Sequence, residues 1–159
     1  MQLFKIVDEE KILINQGDTL FDSINTHSGD SQTLKLSLSK EKEEIVKNLM
    51  CELKITDNDI TYVLKKNTDD ENSVCYFRTR TGKNIKFKLF LEKEKSILVK
   101  PDKNGLFYLS KNWNLDEDII FSIILECEEE FSDRFGENKE VILGINFLGE
   151  LVNESKTFV

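Results

Sequence analysis

The segment Asn84-Ile85-Lys86-Phe87-Lys88-Leu89-Phe90-Leu91 alternates apolar and polar side chains and decides the fold class. Successive side chains of an extended chain point to opposite faces of a sheet. One face of this segment is therefore apolar, with Ile85, Phe87, Leu89 and Leu91. The other carries Lys86 and Lys88. Such alternation predicts a strand with one buried face.

The same alternation recurs on both sides of this segment. Two further ladders are apolar at every second position, at Leu34, Leu36 and Leu38 and at Val141, Leu143, Ile145 and Phe147. Shorter strand-like runs cover residues 3–7, 11–15, 53–56, 60–65, 74–80, 97–100 and 106–109. Residues 119–127 are apolar at nearly every position of their first half. That composition predicts a central strand covered on both faces.

One segment favours a helix. Residues 40–50 follow a potential cap at Ser39, and their apolar side chains fall at helical spacing, at Ile45, Val46, Leu49 and Met50. Many short strands separated by turn residues favour two packed sheets. We therefore expect a mainly β protein, an antiparallel β-sandwich of immunoglobulin-like or jelly-roll-like kind with one short helix.

Length and composition limit the class of protein. A chain of 159 residues is expected to form one β-rich domain over residues 1–159. Its 39% hydrophobic and 33% charged residues are typical of a globular protein. The net charge of −8 argues against a free-standing nucleic-acid binder. We expect neither nucleic acid nor a membrane as a partner.

The cysteines and the first residues bear on the compartment. Cys51, Cys75 and Cys127 are odd in number and widely spaced, which indicates reduced thiols and no zinc knuckle. The N-terminal ten residues lack a basic-then-apolar signal, and the apolar run at 119–125 is too short to span a bilayer. We expect a cytoplasmic location on synthesis.

Catalytic patterns are weak in this sequence. The one histidine, His27, stands beside Ser28, but no nucleophile elbow accompanies it. No glycine-rich phosphate loop occurs, and the residues Asp57-Asn58-Asp59 lack the later ligands of a calcium loop, so we interpret them as a turn. We expect a non-enzymatic protein with no cofactor and no metal.

Charge is distributed unevenly along the chain. Residues 74–103 contain nine basic and three acidic side chains, whereas residues 128–159 contain eight acidic and three basic ones. A hairpin around Gly82 would place four cations on one outer face, namely Arg78, Arg80, Lys86 and Lys88. That face is either neutralised by carboxylates of a neighbouring strand or is a docking surface for an acidic partner. The acidic segment of another copy, with Glu128, Glu129, Glu130 and Asp133, would fit such a surface in a head-to-tail contact.

The single tryptophan offers another kind of site. Trp113 lies among polar residues in Lys111-Asn112-Trp113-Asn114. A half-buried packing role is the leading interpretation, and an anchor for a sugar or a protein partner is the alternative, because tryptophan is enriched at interfaces.

The segment Ile12-Leu13-Ile14-Asn15-Gln16-Gly17-Asp18-Thr19, followed by Phe21, resembles an opening found in small β-sandwich proteins of phage virions. The resemblance implies a structural component of a capsid, neck, tail or baseplate, assembled into a virion after synthesis, and brings no catalytic residue with it. We therefore expect a structural or assembly protein that binds other proteins as a homo-oligomer or in a larger assembly. A carbohydrate- or ligand-binding module and an acidic inhibitor that mimics nucleic acid are the alternatives.

Overall fold

A computed structural model describes residues 1–15, 20, 31–57, 60–66, 75–78, 84–127 and 141–153. Over these residues the chain is mainly β, and two antiparallel sheets account for its strands, as the sequence predicts. The strands are β1 (Gln2–Val7), β2 (Glu10–Ile14), β3 (Ser31–Ser39), β4 (Glu44–Asp57), β5 (Ile60–Val63), β6 (Lys65–Lys66), β7 (Cys75–Arg78), β8 (Asn84–Glu92), β9 (Ser96–Val99), β10 (Leu106–Trp113), β11 (Ile119–Cys127) and β12 (Val141–Asn153).

The large sheet has the strand order β2-β1-β3-β11-β8-β7-β6, and β9 pairs with the end of β8. Its middle is formed by β3, β11 and β8, the strands that the sequence marks most clearly. The tight turn between β1 and β2 has positive φ at Asp8 (50°) and Glu9 (67°). Positive φ at both central residues is typical of the hairpin turn whose twist matches its strands.

The small sheet has the order β10-β4-β12, and β5 pairs with the C-terminal part of β4. The backbone nitrogen of Leu20 donates to the carbonyl of Leu143 at 3.3 Å, so a further part of the chain meets β12 at that point. Asp102 organises the turn into β10, since its carboxylate accepts from the backbone nitrogens of Asn104 and Leu106 at 2.8 and 2.9 Å.

One hydrophobic core lies between the sheets. The large sheet contributes Leu36, Phe87 and Phe121, and the small sheet contributes Leu53 and Phe107, all fully buried. The rings of Phe121 and Phe147 meet edge to face, 6.3 Å between centroids, and so join the two sheets directly.

The predicted helix at residues 40–50 is wrong. The chain there enters β4, and none of the described residues is helical. Asn48 has a positive φ of 53°, and the pairing of β4 with β12 shifts by one residue at this point. This β-bulge places Val46 and Leu49 on the same buried face, three residues apart, so a bulged strand imitates helical spacing.

Gly149 faces the bulge from β12. A Cβ at this position would lie 3.3 Å from the carbonyl oxygen of Lys47 and 3.3 Å from Cγ1 of Val46. The close approach of the two backbones therefore favours glycine at residue 149.

Candidate functional site

β7 pairs with β8 in antiparallel register, as a hairpin between these two strands requires. Cys75 pairs with Phe87, and Tyr76 with Lys86. Cross-strand partners share a face, so Cys75 and Phe87 belong to the core and Lys86 to the outside. Arg78 pairs with Asn84 at the end of the hairpin, whereas Arg80 lies outside the described residues.

Part of this positive charge is neutralised within the chain. Nζ of Lys88 lies 3.4 Å from Oε1 of Glu126, its neighbour on β11. Both side chains are about a third exposed, at 31% and 39%, and an exposed pair of this kind contributes little to stability. A docking role for Lys86 and Lys88 therefore stays a prediction.

The acidic segment with Glu128, Glu129, Glu130 and Asp133 lies outside the described residues, as do His27 and Ser28.

Trp113 is a packed residue of the core boundary. It is 5% exposed, and its indole nitrogen donates to the carbonyl oxygen of Glu117 at 2.8 Å. The ammonium of Lys40 lies 5.6 Å from the ring centroid, within reach of a cation–π interaction. The ring is therefore fixed from two directions, which fits the packing interpretation better than an exposed stacking platform.

Lys40 connects Trp113 to the loop that precedes β11. The Lys40 side chain is 1% exposed and its Nζ lies 3.2 Å from Oδ1 of Asp116. The backbone nitrogen of Glu43 donates to the same oxygen at 3.3 Å. The hydrogen bonds from Lys40 and then from Glu43 lower the pKa of the Asp116 carboxyl below its usual value.

Trp113 also lines a groove of about 490 Å³ at one end of the two sheets. Its apolar part includes Leu91, Leu109 and Ile119, and the exposed Leu115 also lines it. The charged residues that line it are Glu92, Lys93, Glu94, Glu117 and Asp118, so carboxylates predominate. A volume of this size is within the range of small-ligand sites.

The outside of the large sheet carries a surface that sequence reasoning did not identify as a site. Leu13 pairs with Phe4, Phe4 with Ser37, and Ser37 with Ile120, so one row of side chains crosses four strands on this face. The next row contains Ser122, Phe90 and Leu98, and the row beyond it contains Ile124 and Lys88. We call six of these residues the outer apolar face: Phe4, Leu13, Phe90, Leu98, Ile120 and Ile124.

The outer apolar face is accessible to solvent. Leu13 is 44% and Leu98 38% exposed, and the other four side chains are half-buried. Two serines lie low between them, with Ser37 fully buried and Ser122 6% exposed. The signal for this face is the apolar run at 119–125, interrupted by Ser122, from which the sequence predicts burial on both sides of β11.

At one edge of the outer apolar face, Asp118 makes polar contacts with Ser37 and Lys11. The carboxylate of Asp118 accepts from Oγ of Ser37 at 3.1 Å and pairs with the ammonium of Lys11. Lys11 also lies 5.6 Å from the ring centroid of Phe4. These contacts hold β2, β3 and the start of β11 in register at the edge of the outer apolar face.

Two further observations concern chemistry. In the described part of the chain, no three histidine, cysteine or acidic side chains lie together as a metal site would require. Burial, and to a smaller extent Cys75 and Glu52, raises the pKa of the fully buried Cys51 thiol far above its ordinary value. A thiol of this kind is a weak nucleophile at neutral pH.

Comparison with known proteins gives no assignment, because no family model, no curated protein and no solved structure matches this chain. Among the residues that the structure describes, none forms a helix long and apolar enough to cross a membrane.

Proposed function

We propose that this chain is a non-enzymatic structural or assembly protein that acts through protein–protein contacts. The outer apolar face carries the proposal. Antiparallel sheets commonly cover one face with the core and present polar side chains on the other. Here the second face has Phe90, Ile120 and Ile124 at the positions where a solvated sheet has polar residues.

Covering the outer apolar face is favourable in proportion to the apolar area removed from water. Covering apolar surface is favourable by roughly 25 cal/mol per Å², and large contiguous apolar patches on soluble proteins typically mark interaction sites. The six side chains of the outer apolar face lie on five strands, β2, β1, β11, β8 and β9, and β3, which lies between β1 and β11, contributes the buried Ser37 and the exposed Lys35 to the same surface. A partner protein that covers them gains this free energy.

The finer class of the protein is also part of the proposal. Two antiparallel sheets around one core support a β-sandwich of immunoglobulin-like or jelly-roll-like kind. The resemblance of residues 12–21 to phage virion proteins supports a place in a capsid, neck, tail or baseplate. Residues 16–19 and 21 of that stretch lie outside the described residues.

Sedimentation of the purified protein at low and at high salt tests the proposal, together with capture of partners from the native host. We expect self-association or a stoichiometric complex that persists in high salt, because burial of apolar surface is not screened by ions. A strict monomer in both conditions with no partner recovered would rule the proposal out.

A carbohydrate- or ligand-binding module is the second candidate, and the groove beside Trp113 favours it. Because Trp113 is buried, its replacement would disturb the fold, so the substitution belongs at the exposed rim. Leu115→Ser and Glu117→Gln should weaken the binding of any ligand that a glycan or metabolite array identifies. An array without binding above background, or binding that both variants leave unchanged, would exclude this candidate.

A further inference from the structure

The turn before β10 contains the only asparagine–glycine pair of the sequence, Asn104-Gly105. Such a pair is prone to spontaneous deamidation, because glycine has no side chain to hinder the attack of its backbone nitrogen on the preceding amide. Asn104 is exposed to solvent, so water can reach its side chain. The turn therefore carries the chemistry of a covalent modification site.

The reaction needs only the chain itself and water. The backbone nitrogen of Gly105 bonds to Cγ of Asn104, and its proton passes to the side-chain amide nitrogen, which leaves as ammonia. Water then opens the resulting cyclic succinimide at one of its two carbonyls. The product is aspartate or isoaspartate at residue 104, and in isoaspartate the backbone runs through the side-chain methylene.

The folded turn engages the nitrogen that would attack. The N–H of Gly105 donates to the carbonyl oxygen of Asp102 at 2.9 Å, and Gly105 is buried although Asn104 beside it is exposed. Its φ of 82° lies in the left-handed region that favours glycine. Loss of the proton would break the bond to Asp102 and leave a buried polar group unsatisfied, which is unfavourable.

Asp102 also fixes the backbone on both sides of the pair. Its Oδ1 accepts from the backbone nitrogens of Asn104 at 2.8 Å and of Leu106 at 2.9 Å. Its own N–H donates to the carbonyl oxygen of Leu106 at 2.9 Å. Together with the bond from Gly105, four hydrogen bonds centred on one residue close the turn. They oppose the backbone rotation that would bring the nitrogen of Gly105 onto Cγ of Asn104.

We propose that Asn104 is a latent deamidation site that Asp102 keeps closed in the folded protein. Attack requires the turn to open locally, and the free energy of that opening slows the reaction in the folded chain. The proposed function and this site are independent of each other.

Modification of Asn104 would act on β10. This strand begins at Leu106, pairs with β4 and contributes Leu109 and Trp113 to the groove. The succinimide has no N–H with which to hold the carbonyl of Asp102, and isoaspartate adds a carbon to the backbone just before the strand. We therefore expect the modified protein to unfold at a lower denaturant concentration than the unmodified one.

Peptide mass spectrometry with isoaspartate detection, after incubation at neutral pH, measures the rate at Asn104. Deamidation should be slower in the folded wild type than in the same chain unfolded in guanidinium chloride, by at least about tenfold. Asp102→Ala removes the accepting carboxylate and should speed deamidation of the folded protein by at least about threefold. Asp102→Asn keeps an accepting oxygen and should speed it less than Asp102→Ala does.

Two further variants serve as controls. Lys103→Ala changes an exposed side chain of the same turn and leaves Asp102 in place, so its rate should equal that of the wild type. Asn104→Gln should remove the product and so assign it to this residue, because the longer side chain closes a ring much more slowly. Unfolding midpoints establish which variants are folded in the assay, and the comparison of folded with unfolded wild type needs no variant.

Equal rates in the folded and the unfolded wild type would overturn this inference. A folded Asp102→Ala variant that deamidates no faster than Lys103→Ala would also overturn it, since the carboxylate would then give no protection. Neither result bears on the proposed function, which is tested by association.

Discussion

The central strands of the two sheets, β4 and β11, are alike on their inner faces and unlike on their outer faces. Inside, Leu53 and Ile55 on β4 match Phe121 and Ile123 on β11, all fully buried. Outside, the middle of β4 carries charges and β11 carries isoleucines at 120 and 124. The comparison indicates that the small sheet faces water there, whereas the large sheet presents apolar side chains, for which we propose a protein partner.

The polar side of β4 is organised as a surface in water. Glu52 accepts from Nδ2 of Asn146 at 3.3 Å, and Nζ of Lys54 lies 3.8 Å from the Glu52 carboxylate. The same face also has a smaller apolar group, formed by Met50, Tyr108 and Leu148. The apolar residues outside β11 extend further, to Phe4 and Leu13 on one side and to Phe90 and Leu98 on the other.

The largest effects should come from the inner faces, where the two strands are equivalent. Leu53→Ala and Ile123→Ala each leave a cavity in the shared core, and each should lower the free energy of unfolding by about 2–5 kcal/mol. Urea unfolding measures both. A loss at only one of the two sites would break the equivalence of the inner faces.

The bulge of β4 has its own test at the facing glycine. Gly149→Ala should lower the free energy of unfolding by about 1–3 kcal/mol, because the added methyl group is crowded by Lys47 and Val46. Gly144 on the same strand is the matched control, since its nearest contact is Cβ of Lys54 at 4.0 Å. Equal effects of Gly149→Ala and Gly144→Ala would contradict the close approach at the bulge.

Substitutions on the outer faces of the two sheets should affect self-association differently, with only a small effect on the stability of the monomer. Phe90→Ala should cost the monomer only about 1 kcal/mol, as a half-buried surface residue, but should abolish self-association. Tyr108→Ala removes an exposed aromatic side chain from the other sheet and should leave association unchanged. Light scattering with parallel unfolding curves gives both quantities, and the reverse pattern would assign the interface to the small sheet.

The smallest effect concerns the junction where the two strands begin. Asp116 precedes β11 and binds the backbone of Glu43 before β4 as well as Lys40. Its lowered pKa means that the ionised form is favoured by folding, so the stabilisation is present above the usual aspartate pKa of 3.8 and is lost as the pH falls through the lower folded value.

Asp116→Asn should therefore lower the melting temperature slightly at neutral pH, and the difference from the wild type should shrink in strong acid. Glu117→Gln is the neighbouring control. A difference that is constant over the whole pH range would show that the carboxylate charge has no part in this junction.

The strands β3 and β8 were predictable from their regular period of two, because each keeps one face in the core along its length, whereas β11 was predicted from an apolar run. The first half of β4 was not predicted as a strand, because the bulge at Asn48 spaces the buried Val46 and Leu49 three residues apart. Its second half was expected at residues 53–56, where Leu53 and Ile55 are buried in regular alternation. An asparagine inside an apolar run and a glycine in the strand that pairs with it were the available signals.

The candidate site was predictable only in part. The antiparallel pairing of β7 with β8 follows from local alternation. The pair of Lys40 with Asp116 and the groove beside Trp113 join residues far apart in sequence, and nothing local indicates them. The apolar run at 119–125 predicted that both faces of β11 are covered. It did not indicate what covers the outer face.

Radical footprinting of aromatic side chains over a range of protein concentrations tests the central claim most directly. Oxidation of Phe90 should fall as the concentration rises through the range of self-association, while oxidation of the exposed Tyr108 stays constant. Unchanged oxidation of Phe90 in the associated protein, or protection of Tyr108 in its place, would contradict the assignment of the outer apolar face as the interface.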